Sequence, residues 1–245
     1  MPLSTTVIGS FPKPPYLHIP DWFRTSHSGP FTEQHNRFLE NCSASETEEL
    51  IIKATREIVA LQAEACLDVI TDGEVRRESY ILHFCRTLEG FDLHNLFSKI
   101  CRDGAVVTDV PRIVSEVTPR EGESWVWKEW KTSQDLSTLP IKITLPGPMT
   151  IINSTEDQYY NDEKVLGRVL AQIINSEVKA LVSAGCKYIQ VLDTSQEISC
   201  HTMQSPKRDG PLIWEPLGAR SFFSARILFQ LRVMQEMLSQ CLNSD

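Results

Sequence analysis

The chain contains no uninterrupted apolar run approaching the ~18 residues that a membrane-spanning helix requires. Its opening, MPLSTTVIGS, has neither the basic leader nor the long apolar stretch of a signal peptide. No membrane span is expected, and a cytoplasmic location is. Positive charge is also short: 24 Lys and Arg face 32 Asp and Glu, for a formal charge of −8. Phosphate-rich and anionic lipid surfaces recruit clustered basic residues, so nucleic acid and membrane are not expected as partners, whereas a small molecule is. None of the seven cysteines (42, 66, 85, 101, 186, 200 and 241) belongs to a C-x-x-C pair. That excludes a compact zinc knuckle, and the odd number and wide scatter exclude a disulfide framework. Cys66 and Cys186 adjoin predicted strands and are expected to be small core residues.

What is present is enough apolar material, 41% of 245 residues, for a substantial core in one large or two small domains. The organising stretch is residues 67–80, LDVITDGEVRRESY. Its apolar run stops at Asp72-Gly73-Glu74 and resumes as the charged segment Arg76-Arg77-Glu78, the pattern of a buried strand that delivers a carboxylate at its C-terminal end. Glu74 is the first candidate, because strand C-termini carry the chemistry of alternating strand–helix folds.

The remaining elements alternate around it. A β-branched run at residues 5–8 ends in Gly9-Ser10, where backbone N–H groups and a hydroxyl can face an anion. Residues 19–42 mix aromatic and polar side chains without a period and are expected to be irregular, with His27 and His35 facing solvent. Ser45 and Glu48 fit a capping box, and Leu50, Ile51, Ala54, Ile58, Leu61 and Ala65 recur at helical steps, predicting a helix over 46–66. Strand, helix and strand then make a parallel βαβ unit. A second helix is expected over 77–89, ending near Gly90.

Residues 91–138 interrupt the alternation. Apolar–polar alternation near 106–107, 113–117 and 125–130, with turn signals at Asp103-Gly104 and 119–122, predicts an inserted hairpin. Trp125 and Trp127 are expected to cover apolar surface rather than to stack, with Lys128, on a planar ligand. A third strand at 141–145 is closed by Pro146-Gly147-Pro148, a rigid lip. Asp162 caps a helix carrying Val165, Leu166, Val169, Leu170, Ile173, Ile174 and Leu181, and Gly185 suits its C′ position. The fourth strand, 187–192, again ends in an acid, Asp193. Beyond it, five basic residues balance five acidic ones over 196–245, with a helix expected at 221–242 and no obvious fifth strand.

Four motifs now stand in order, each at a strand or its end: Thr6-Val7-Ile8-Gly9-Ser10-Phe11-Pro12; Thr71-Asp72-Gly73-Glu74 with Arg77 and Tyr80; Leu145-Pro146-Gly147-Pro148-Met149-Thr150; and residues 184–191, AGCKYIQV, leading to Asp193. Over roughly residues 4–193 the chain resembles the catalytic barrel of cobalamin-independent methionine synthase, particularly its single-barrel relatives. The resemblance implies a TIM (β/α)8-barrel type of α/β fold. It also implies methyl transfer from a reduced folate to a thiol such as homocysteine, with zinc holding the thiol as thiolate. By the same resemblance Ile8, Gly9 and Ser10 hold the substrate amino acid's carboxylate, Glu74 its ammonium group, and Asp193 is a second ammonium anchor.

The departures are specific. Asp193 is followed by Thr194-Ser195 in place of an acidic-proline step, and residues 152–155 read INST where the family carries a pterin-facing tryptophan, so the folate co-substrate loses its expected support. The family's zinc set is a His-x-Cys pair, a Glu and a Cys; no His-x-Cys exists here, and Cys200-His201 is a poor substitute because adjacent residues tend to point apart and two ligands do not close a tetrahedral site, so no metal ligand is assigned. A TIM barrel spends ~30 residues on each βα unit, whereas four strands here consume 193. Only about the first four units are therefore expected: a partial barrel over 1–195 with the 91–138 hairpin inserted, then a divergent segment 196–245 with a helix, as a truncated product would give. Such an open strand edge would favour self-association. Three functions remain open: a methionine-synthase-like methyltransferase, inactive if the zinc set is truly missing; a catalytically dead half-barrel binding an amino acid or a full-length paralogue; and a uroporphyrinogen-decarboxylase-like enzyme, whose branch shares the G-x-x-x-I-Q-x-x-D strand seen at residues 185–193.

Overall fold

The computed structural model describes residues 4–20, 31–101, 106–120 and 126–192. In chain order they form α1 (Phe31–Asn41), α2 (Ala44–Glu64), β1 (Ile70–Thr71), α3 (Tyr80–Arg86), β2 (Leu88–Cys101), β3 (Val106–Pro119), α4 (Val126–Gln134), β4 (Ile141–Pro146), α5 (Pro148–Asn153), β5 (Glu156–Asp157), α6 (Glu163–Ser183) and β6 (Tyr188–Leu192). Strands β1, β4 and β6 make a parallel sheet in that order, with Ile70 opposite Ile141 and Thr144 opposite Gln190. Thr6 adds a parallel bridge to Val69. Parallel segments thus follow one another in chain order with helices between them, an α/β fold; the described strands do not by themselves close a barrel.

Strand β4 shows how one sequence builds two surfaces. Ile141, Ile143 and Leu145 are fully buried, and removing each such side chain from water stabilises the fold by about 1.5–3 kcal/mol. Lys142 and Thr144 alternate with them and so project from the opposite face. Helix α2 carries a second apolar cluster, in which Ile51, Ala54 and Ile58 pack with Leu17, Ile19 and Val75. This ties the N-terminal arm to the segment that follows β1.

Several local expectations are corrected. Residues 31–41 are helical, and His35 is buried rather than solvent-facing, because Glu78 from the segment after β1 lies against its ring. The Ser45/Glu48 capping box does not form: α2 starts two residues earlier behind Ser43, and Glu48 instead reaches Arg76. Leu61 and Ala65 are exposed, since buried Gln62 takes the inward position in the last turn and bonds both backbone groups of Thr71. The second helix stops at Arg86; Gly90 lies inside β2 at φ +92°, beside a register shift, where a Cβ would meet the carbonyl of Glu116.

An antiparallel hairpin does lie in the stretch expected as an insertion, made of β2 and β3. The segment expected as its tryptophan strand is helix α4, with Val126, Trp130 and Ser133 buried at helical spacing and the Trp130 indole donating to the Ile141 carbonyl at 3.0 Å. Pro148 is no lip but the first turn of α5, where a missing N–H costs nothing. Asp162 caps α6 through the amides of Lys164 and Val165, and Gly185 follows at φ +97°, although Val165 itself is exposed. Cys186 is buried, but Cys66 is exposed at φ +58°. Asp193, His27, Trp125, the Asp103-Gly104 turn, Cys200-His201 and the 221–242 helix lie outside the described residues.

Candidate functional site

The site lies where the C-terminal ends of the N-terminal segment, β1 and β4 converge. After β1 the chain turns through Gly73 at φ +73° and Glu74 at φ +54°. Gly73 is required: its conformation disfavours a side chain, and a Cβ would press on Ile58 at 2.8 Å. Glu74 has no such freedom, and a non-glycine residue in this region costs about 1–3 kcal/mol unless its surroundings hold it there. Its own amide donates to Asp72 Oδ1 at 3.1 Å, and Thr144 Oγ1 donates to its carboxylate Oε1 at 2.6 Å.

The first strand end is pinned to the same place. Thr71 Oγ1 donates to the Gly9 carbonyl at 2.9 Å, and the Phe11 amide donates to the Gly73 carbonyl at 2.9 Å. Gly9 then lies so close to Glu74 that a Cβ would run into Glu74 Oε1 and stand 3.1 Å from Thr144 Cγ2. Of the expected site residues, Gly9 and Glu74 are therefore brought together and buried, while Ile8 and Ser10 flank Gly9 with exposed side chains.

Two residues that sequence reasoning missed complete the arrangement. Thr144 receives hydrogen bonds from Arg77 Nη1 on both its hydroxyl (3.0 Å) and its carbonyl (2.9 Å). Lys142 is buried and donates to the Val7 carbonyl at 2.5 Å. Burial pulls the Lys142 ammonium down to about 8, the Glu74 charge opposing the shift only in part. The signal for both was the I-K-I-T-L pattern of β4, two polar side chains on one face of an otherwise aliphatic strand.

Behind the site a buried charge network joins four elements. Arg77 faces Asp72 at 3.9 Å and Glu129 at 3.8 Å. Glu129 also accepts from His83 at 2.8 Å and faces Arg76 at 3.6 Å; Arg76 makes a two-pronged pair with Glu48 at 2.5 and 2.7 Å. Glu78 pairs with Arg86 and lies 3.3 Å from His35. Burial works against the ionised form of Glu129, but His83, Arg77 and Arg76 hold its carboxyl below the usual range. Burial likewise drives His35 down to about 4 despite Glu78. His35 is thus neutral near pH 7, and Arg86 is the permanent countercharge of Glu78.

A family model for the cobalamin-independent synthase catalytic domain matches residues 3–216. The chain belongs to this family. The methionine synthase of Sulfolobus acidocaldarius is 29% identical over 197 residues, covering 77% of this chain and 51% of that protein. That of Saccharolobus solfataricus is 32% identical over 190 residues, covering 77% and 52%. Among solved structures, a B12-independent methionine synthase from Shewanella sp. W3-18-1 in complex with selenomethionine is similar, with a TM-score of 0.65, 30% identity and coverage of 77% of this chain and 51% of that one. This member of the cobalamin-independent synthase family spans about half the length of the curated relatives it matches.

Among the described residues no group of three or more His, Cys, Asp and Glu could hold the zinc that this family implies. The described residues therefore do not supply a zinc site. No described helix is long and apolar enough to cross a membrane.

Proposed function

We propose that the chain provides the amino-acid-binding part of a methionine-synthase-like methyltransferase, which moves a methyl group from a reduced folate or similar donor to a thiol amino acid such as homocysteine. The observation that carries this reading is the Glu74 carboxylate, buried against Gly9 with one oxygen engaged by Thr144. A carboxylate fixed in this way beside a strand end is suited to an ammonium group, because the charge-assisted bond is strong and its direction is set in advance. The N–H groups of Ile8, Gly9 and Ser10 would take the amino acid's carboxylate, and Asp193 would be the second ammonium anchor. The Shewanella relative was solved with selenomethionine, an amino acid with the same ammonium and carboxylate, and this supports the assignment.

Titration calorimetry of the full chain with L-methionine and with L-homocysteine tests the site. Glu74→Ala and Asp193→Ala should each weaken binding by about 10-fold or more, as expected for losing a charged hydrogen bond; unchanged affinity in both would refute the assignment. Methyl transfer from a methylated reduced folate, assayed separately with added zinc, distinguishes an enzyme from a half-barrel that only binds the amino acid.

A further inference from the structure

We propose that Thr144 is the positioning residue that aims Glu74 at the ammonium group, relaying the fixed orientation of Arg77; this rests on the amino-acid-site reading above. A threonine hydroxyl has one proton and two lone pairs, and a guanidinium can only donate. Arg77 Nη1, 3.0 Å from Thr144 Oγ1 and 2.9 Å from the carbonyl of the same residue, occupies the accepting side of the hydroxyl. The remaining proton then has one destination, Glu74 Oε1 at 2.6 Å. The carboxylates of Asp72 and Glu129 face the other nitrogens of Arg77 at 3.9 and 3.8 Å, close enough for charge attraction to favour this orientation.

The relay answers a need created by the backbone. At φ +54° Glu74 occupies a conformation that its own chain does not favour, so its direction is set by what holds its tip. Gly9 and Thr144 both crowd Oε1 of that carboxylate. With Oε1 committed to Thr144, Oε2 is the oxygen offered to the ligand. The consequence is chemical selectivity: Thr144 touches no part of the amino acid, yet it should govern how well the amine is distinguished from its absence.

The test uses the full chain and two probes, L-methionine and its des-amino analogue, γ-(methylsulfanyl)butanoate, by calorimetry. Thr144→Val should weaken L-methionine by ~10–100-fold, the worth of a hydrogen bond to a charged group, and the des-amino analogue by no more than ~2-fold. Thr144→Ser should restore L-methionine affinity, and in a Glu74→Ala background Thr144→Val should add nothing. Where Thr144→Val folds poorly, Arg77→Lys gives the same selective loss, since an ammonium cannot span both Thr144 oxygens in the guanidinium's planar geometry. Equal weakening of both probes, or full additivity with Glu74→Ala, overturns the relay. If Glu74→Ala alone leaves L-methionine unaffected, the site reading itself has failed and the relay falls with it.

Discussion

Gly9→Ala separates the geometry of the site from the stability of the fold. Gly9 does not sit in the left-handed region, so alanine brings no left-handed backbone strain, and the effect comes from one methyl group meeting chiefly Glu74 Oε1 and, less closely, Thr144 Cγ2 at 3.1 Å. Ordinary contact needs about 3.4 Å, so the carboxylate must retreat by roughly 1 Å, too far to keep its 2.6 Å bond from Thr144. A hydrogen bond to a charged group contributes about 1.5–3 kcal/mol. Replacing glycine returns about 0.4–1 kcal/mol through the unfolded chain, leaving a net loss near 1–2 kcal/mol. Thermal unfolding should register this as a fall of a few degrees. Calorimetry should register a ~10–100-fold loss of L-methionine affinity, because the misplaced carboxylate no longer meets the ammonium. The double variant Gly9→Ala/Glu74→Ala decides the matter. With the obstructed side chain gone, the methyl should cost much less stability than in the wild type, a coupling that only contacting residues show. If Gly9→Ala costs the same in both backgrounds, or leaves L-methionine binding intact, the reasoning is refuted.

Three further outcomes follow from the buried charges. Lys142 titrates near 8 in the folded chain against an ordinary value of 10.5, so the unfolded chain binds more protons between those values; stability contributed through Lys142 should rise with pH across that window by at most about 3 kcal/mol. Urea unfolding at pH 7.5 and pH 10 should show this rise, and Lys142→Met should remove it; an unchanged slope in the variant would sink the assignment. His35, held near 4 instead of 6.5, should withdraw stability as pH falls from about 6.5 towards 4, because only the unfolded chain takes up its proton there. His35→Gln should flatten the loss between pH 7 and pH 5, a window above the range in which Glu78 gains its own proton, and a wild-type slope in the variant would refute this. Finally, Glu78→Gln should cost about 3–5 kcal/mol by leaving Arg86 buried opposite a neutral amide, whereas Glu48→Gln, on a half-exposed pair with Arg76, should cost no more than about 1 kcal/mol. Equal midpoints for the two variants in chemical denaturation would count against the network as drawn.

The legible parts of the fold share one property: their signals are local. Helix α6 could be read from its apolar period, from Asp162 at its start and from Gly185 after its end, since capping and periodicity involve residues within a few positions of each other. The three parallel strands were visible as short aliphatic runs, and Glu74 stood out because an acid followed such a run. Alternation misled at residues 125–130, where W-V-W-K-E-W satisfies a strand period over a few residues and yet buries Val126 and Trp130 at a helical step. His35 misled for a different reason. Its environment includes Glu78 against the ring and the nearby charge of Arg86, far along the chain, and no pattern around residue 35 records them.

From the sequence alone came the family resemblance, the chain order of the parallel strands and two residues of the candidate site, Gly9 and Glu74, because hydrophobic runs, turn glycines and motif order are written in consecutive residues. Only the tertiary structure decided that Glu74 is gripped by Thr144, 70 residues away, that Arg77 stands behind that grip, and that Lys142 shares the polar face. These depend on which face of β4 meets the end of β1. That choice is made by burying Ile141, Ile143 and Leu145 on the other side, a free energy summed over the whole core rather than over any one stretch of chain.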